Sequence, residues 1–181
     1  DGNFYAYASM TDKDHRFVKA AYWAMCDLID DQVGRMMQAL EDSGQLNNTL
    51  VIFMSDHGEM LGDHGIYLKG PHFYEPAVKV PFIVSWPGRI APGVAYALVE
   101  LFDVAPTLME AAGLKPYEGM QAKSLWPLLT EGTGRAVHRQ DIYSEYYNAM
   151  VWYDPNPHVT MLRTEEAKII VDHTGDTGEL Y

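Results

Sequence analysis

The sequence predicts an α/β fold followed by a smaller antiparallel, β-containing subdomain, and three observations lead there. Between Thr11 and Gly44 the apolar residues Val18, Tyr22, Met25, Ile29, Val33, Met36 and Leu40 recur at spacings of four and three, the buried stripe of one amphipathic helix. The run "TLVIFMS", residues 49–55, is continuously apolar and partly β-branched, which suits a strand covered on both faces. Beyond "KPYEG", residues 115–119, the texture changes to "DIYSEYY" and "VTMLRTEEAKIIVDH", whose mixed alternation reads as antiparallel strands.

Each element carries local signals. Thr11 and Asp14 stand in the relation of a capping box, and Gly44 is placed to end the helix in a left-handed turn. Helix, short loop and buried strand form the rhythm of an α/β layer. In open sheets of that kind ligands gather beyond the carboxyl ends of the strands, where Asp56 and His57 stand. A second strand is expected in "VPFIVSW", residues 80–86, before the turn "PGRIAPG", and a third in "AYALVE", residues 95–100. Asp103 is placed to cap a short helix that Gly113 ends. The expected division assigns residues 1–120 to the α/β domain and 121–181 to the subdomain, with the boundary between residues 115 and 135.

Composition bounds the function. The 181 residues suffice for a domain with a core. A formal charge of −12 with only 13 Lys and Arg argues against a nucleic-acid partner, which needs clustered cations for phosphate. No apolar run approaches the roughly 20 residues of a membrane span. One cysteine, Cys26, excludes an internal disulfide framework and Cys-based zinc fingers. The chain starts at Asp1 without an initiator Met and stops at "TGELY", so the expectation is a piece of a longer polypeptide, with the subdomain truncated. Compartment and oligomeric state stay open.

The chemistry concentrates in "MSDHGEMLGDHGIYLKGPH", residues 54–72. Consecutive strand side chains point to opposite faces, so Asp56 and His57 share one ion only if the backbone bends, which Gly58 permits. The carboxylate offers a hard oxygen and the neutral imidazole a nitrogen lone pair. At least two further ligands must come from elsewhere. Lys69, in the loop returning to the next strand, can place an ammonium on an anion held by the metal. Asp, His and Lys together describe hydrolysis of an anionic ester, and leave sulfur and phosphorus both open.

The run "NTLVIFMSDHGEMLGDHGIYLKGPHFYEPAVKVPFIVSWPGRI" resembles the formylglycine-dependent sulfatases of the alkaline-phosphatase-like superfamily, in their C-terminal portion. The likeness extends to "AAYWAMCDLIDDQVGRMMQALEDSG", "LFDVAPTLMEAAGL" and the terminal "TGELY". It implies an alkaline-phosphatase-like α/β sandwich, of which this chain holds the C-terminal part of the sheet and helices. It also implies a sulfuric ester hydrolase when complete. Asp56 and His57 match the second pair of ligands to a divalent cation, calcium in the usual case, with magnesium, manganese or zinc as alternatives. Lys69 matches the lysine on the sulfate. The implied nucleophile is a formylglycine made from the cysteine of C-x-P-x-R. Cys26 is followed by Leu28 and Asp30 in those places, so the formylglycine is expected in an N-terminal part outside these residues, and the fragment alone is expected to be inactive. The implied partner is a sulfated small molecule or carbohydrate.

Two readings compete with this one: a phosphodiesterase or phosphonate monoester hydrolase on the same scaffold, and a non-catalytic module that retains the fold. For Asp63 and His64, shaping the loop stands against lining the active site, so His64 is a candidate substrate contact, as is His72, three residues past Lys69. Glu59 and Glu75 read as solvated, Cys26 as a buried inert thiol, and Asp103 as a helix cap rather than a metal ligand. The aromatics Tyr143, Tyr146, Tyr147, Trp152 and Tyr153 read as packing of the subdomain or as a rim for a sugar.

Overall fold

A computed structural model describes residues 6–131, 137–149 and 154–181; Trp152 and Tyr153 lie outside the described residues. The chain forms two compact units, residues 1–87 and 88–181. By compactness the division therefore falls ahead of the change in sequence texture.

In the first unit, helix α1 spans Asp12–Asp42 and begins at the expected capping box: Asp14 N–H donates to the Thr11 hydroxyl, and Thr11 N–H donates to Asp14. It ends where expected. Gly44, at φ 69°, sends its N–H to Glu41 O while Gln45 N–H reaches Leu40 O, the paired bonds of a Schellman turn. The predicted burial of its stripe does not follow. Met25, Ile29 and Met36 are each more than half exposed, and Cys26 is exposed rather than buried. A helical stripe is buried only where a facing layer covers it, and the described residues of this chain supply no such layer over the middle of α1.

Strand β1, Val51–Met54, pairs antiparallel with β2, Phe82–Ser85, with Val51 opposite Ser85 and Met54 opposite Phe82. β1 is only partly covered rather than sealed on both faces. The 27 residues between the two strands (55–81) fold back through the short helix α2, Glu75–Val78. Met60, Tyr67, Phe73, Ala77 and Trp86 form the core here, and the Trp86 indole N–H donates to Asn47 O at 3.1 Å.

The second unit opens irregularly. The strand expected at residues 95–100 is absent: residues 94–98 carry no ladder, Val94 and Tyr96 are exposed, and Glu100 instead begins a 3-10 turn at Leu101–Asp103. Helices α3, Val104–Ala111, and α4, Trp126–Glu131, follow. Four antiparallel strands complete the unit in sequential order: β3, Asp141–Tyr147; β4, His158–Thr164; β5, Lys168–Asp172; β6, Thr177–Leu180. Alternation places Val159, Met161 and Ile170 on the buried face, with Met161 directly opposite Ile170, as a period of two requires. Among the described residues no helix is long and apolar enough to cross a membrane.

Candidate functional site

β1 ends at Met54, and the backbone turns at once. The Ser55 hydroxyl donates to His57 O at 2.6 Å, and His57 N–H donates to Asp56 Oδ1 at 3.0 Å. Gly58 makes the bend possible: its N–H donates to Ala77 O at 2.8 Å, and a Cβ there would lie 1.8 Å from Pro76 O. Any side chain would push the bend off α2.

His57 Nδ1 lies 2.9 Å from Gly58 O. A carbonyl only accepts, so Nδ1 carries the proton in the neutral ring and Nε2 keeps its lone pair. That nitrogen is 3.6 Å from Asp56 Oδ2, and both side chains are open to solvent, at 43% and 85% exposure. A hydrogen-bonded Nδ1–H with Nε2 free beside a carboxylate oxygen is the arrangement of a metal-binding imidazole. The donor set therefore fits a divalent cation. Among the described residues no three His, Cys, Asp or Glu gather closely enough to hold one.

The second Asp-His-Gly triplet has another conformation. Gly62, His64 and Gly65 all have positive φ, with His64 at φ 54°; Asp63 O accepts from Ile66 N–H and Gly62 N–H donates to Ile66 O. The His64 ring stacks on Tyr74 at 3.9 Å and 9°, and His72 lies on the same tyrosine at 6.2 Å and 13°. Tyr74 is the N-cap residue of α2, so this stack joins the loop to the turn that holds Gly58. Glu59, read as solvated, is instead an internal cap: one of its carboxylate oxygens accepts from both Leu61 N–H and Leu68 N–H. Lys69 follows Leu68 and is exposed.

Asp103 does more than cap. Its side chain makes no cap bond to α3 but completes a capping box at the 3-10 turn that leads into it; it is fully buried and accepts from Glu100 N–H, Lys123 N–H, His138 Nε2 and both Arg139 Nε and Nη2. Glu100 bonds Arg139 Nε at 3.1 Å and Tyr143 N–H at 2.9 Å. The helical stretch thereby belongs with the sheet. Burial would raise the Asp103 carboxyl, but these donors outweigh it and hold it below the usual carboxylate range, while Asp103 holds the Arg139 guanidinium up. His138 and Arg139 gave no sequence signal, lying 35 and 36 residues away.

Residues 3–114 match the family described as Sulfatase, and residues 62–181 the family described as N-sulphoglucosamine sulphohydrolase, C-terminal. An arylsulfatase of Clostridium perfringens (strain 13 / Type A) is 32% identical over 183 residues, covering 86% of this chain and 38% of that protein. A solved complex with D-glucosamine-2-N,6-O-disulfate as its substrate superposes with a TM-score of 0.76 at 31% identity, covering 84% of this chain and 31% of the other. The phosphonate monoester hydrolase of Silicibacter pomeroyi superposes with a TM-score of 0.83 at 27% identity, covering 94% and 36%. The shared fold is the alkaline-phosphatase-like α/β arrangement. The chain spans about a third of the length of the curated relatives it matches.

Proposed function

Because this chain belongs to the sulfatase family, whose members generally work with a divalent cation and a formylglycine, we propose that the protein carrying it hydrolyses sulfate esters. Asp56 and His57 are then two ligands of the cation, and Lys69 contacts the bound sulfate. The observation that carries this reading is the His57 ring, its Nδ1 proton committed to Gly58 O and its Nε2 set 3.6 Å from Asp56 Oδ2.

The cation, when bound, supplies Lewis-acid polarisation of the sulfate. The chain's own residues do the rest of what falls to them. Asp56 contributes negative charge and a hard oxygen, which suits calcium or magnesium, while the His57 imidazole admits manganese or zinc; calcium is the ion the family resemblance favours. Gly58 and α2 hold the two ligands at one angle. Lys69 places positive charge where the ester oxygens gain negative charge, an effect of about 3 kcal/mol for one well-set group. The nucleophile lies outside these residues. His64 and His72, stacked on Tyr74, are proposed to line the edge of the site toward the alcohol portion, a sulfated small molecule or carbohydrate.

The test uses the full-length protein. Elemental analysis should find a divalent ion that is lost in D56A and H57A, together with turnover of an aryl sulfate. A wild-type ion content in both variants would remove the pair from the site. A second reading, a phosphodiesterase or phosphonate monoester hydrolase, is favoured by the likeness to the Silicibacter enzyme. Paired assays on an aryl sulfate and an aryl phosphate diester separate the two. Turnover of neither substrate by the cation-loaded protein would favour a non-catalytic module.

A further inference from the structure

The loop that ends in Lys69 is gripped from two sides. On one side Glu59 accepts from Leu68 N–H, and Leu68 O accepts from Met60 N–H at 3.0 Å. On the other, the Tyr67 hydroxyl lies 2.6 Å from Nδ1 of His15, 52 residues away on α1. Burial first, then Tyr7 and Glu59, push the Tyr67 hydroxyl above the ordinary phenol range, so it stays protonated in its hydrogen bond with the His15 ring. The Tyr67 ring is 9% exposed and stacks with His15 at 5.7 Å and 6°, with Tyr7 against both. Gly62 completes the packing, since a Cβ there would lie 3.3 Å from the Tyr7 ring and 3.4 Å from the Tyr67 oxygen.

Between this anchor and Lys69 stands only Leu68, at φ 66°. A branched side chain at positive φ is disfavoured, and such a conformation persists only where its surroundings over-determine it. His15 is a rigid support for that purpose. It sits in the first turn of a helix whose start is fixed by the Thr11–Asp14 capping box, and its own N–H donates to Thr11 O at 3.1 Å.

We propose that His15, acting through Tyr67, is a positioning residue for Lys69: the first turn of α1 sets where the lysine ammonium stands. The inference rests on the assignment of Lys69 to the sulfate. It differs from it in placing a requirement on α1, a helix to which the proposed function assigns no ligand.

The test is a set of variants of the full-length protein, saturated with its divalent cation and assayed on an aryl sulfate. Y67F removes one hydroxyl and keeps the ring. It should lower kcat about five- to tenfold, the worth of one hydrogen bond at a positioned group, with cation content unchanged. H15A should match it, and H15N, which retains a polar atom near the Nδ1 position, should recover most of the loss. In a K69A background Y67F should add nothing. Turnover of Y67F within twofold of wild type, or an equal fall in both backgrounds, overturns the inference while leaving Lys69 in place. If K69A itself turns over at the wild-type rate, the Lys69 assignment falls, and the inference with it. Should H15A unfold, Y67F and H15N still decide the matter.

Discussion

Asp56 with His57, and Asp103 with His138, are the same two residue types, the imidazole Nε2 standing 3.6 Å and 3.1 Å from the carboxylate Oδ2. What separates them is saturation. Both Asp103 oxygens are filled by donors from the backbone, His138 and Arg139, and no surface of that carboxylate remains for a ligand. Asp56 accepts one backbone N–H through Oδ1, and its Oδ2 stands beyond hydrogen-bond length from the imidazole it faces. A buried carboxylate has to be satisfied from within, which makes Asp103 a scaffold; the carboxylate at the mouth of β1 is left open, which suits Asp56 to the ligand role proposed for it. Charge and residue type alone do not distinguish the two.

The sharpest way to break this contrast is to truncate each aspartate. Asp103→Ala strips the buried His138 and the part-buried Arg139, which keeps Glu100, of the carboxylate they share, and should cost about 3–5 kcal/mol of stability, whereas Asp56→Ala should move it by less than about 0.5 kcal/mol. Urea unfolding of the full-length protein measures both, and a loss below about 1 kcal/mol for Asp103→Ala would deny it the scaffold role. Next in size, Lys69→Ala should lower kcat/KM about a hundredfold, or near 3 kcal/mol of transition-state stabilisation, with an unchanged unfolding midpoint. Gly58→Ala should fall between the two classes. Its Cβ cannot coexist with Pro76 O, so about 1–3 kcal/mol of stability should be lost, and the cation should bind more weakly because the Asp56–His57 bend is displaced. A Gly58→Ala protein with normal ion affinity would show that α2 does not set that geometry.

Much of this was legible because it is local. The two ends of α1 follow from Thr11, Asp14 and Gly44, the buried face of β4 and β5 from a period of two, and the Asp56–His57 pair from its place after an apolar strand. Partnership at a distance was not legible. The stripe of α1 has helical spacing whether or not a layer covers it. The expected strand at 95–100 is apolar, but Glu100 commits its N–H to Asp103 at 3.2 Å instead of a ladder. The same holds for Glu59 reaching Leu68 nine residues on, His15 reaching Tyr67 52 residues on, and Asp103 reaching His138; none of these spacings belongs to a helix or strand period. The second Asp-His-Gly looked like a repeat of the first. Its positive φ angles give it a loop-shaping geometry that the triplet alone does not encode.

The smallest effect at neutral pH is the titration of Asp103, which becomes visible only in acid. Its folded-state carboxyl is held below the ordinary range, burial pulling it up and the donors of Arg139, Lys123, Glu100 and His138 prevailing. On acidification the unfolded chain therefore takes up the proton first, near the ordinary value of about 3.9. The stability that Asp103 contributes is complete above that value and is lost as pH falls through the folded one. Asp103→Asn removes the titration but not the volume. The difference in unfolding free energy between wild type and Asp103→Asn should be flat from about pH 7 to pH 5 and shrink steadily toward about pH 2. A difference that stays constant over the whole range would mean that the buried carboxylate is not what holds Arg139 and His138 in place, and the contrast with Asp56 would have to rest on burial alone.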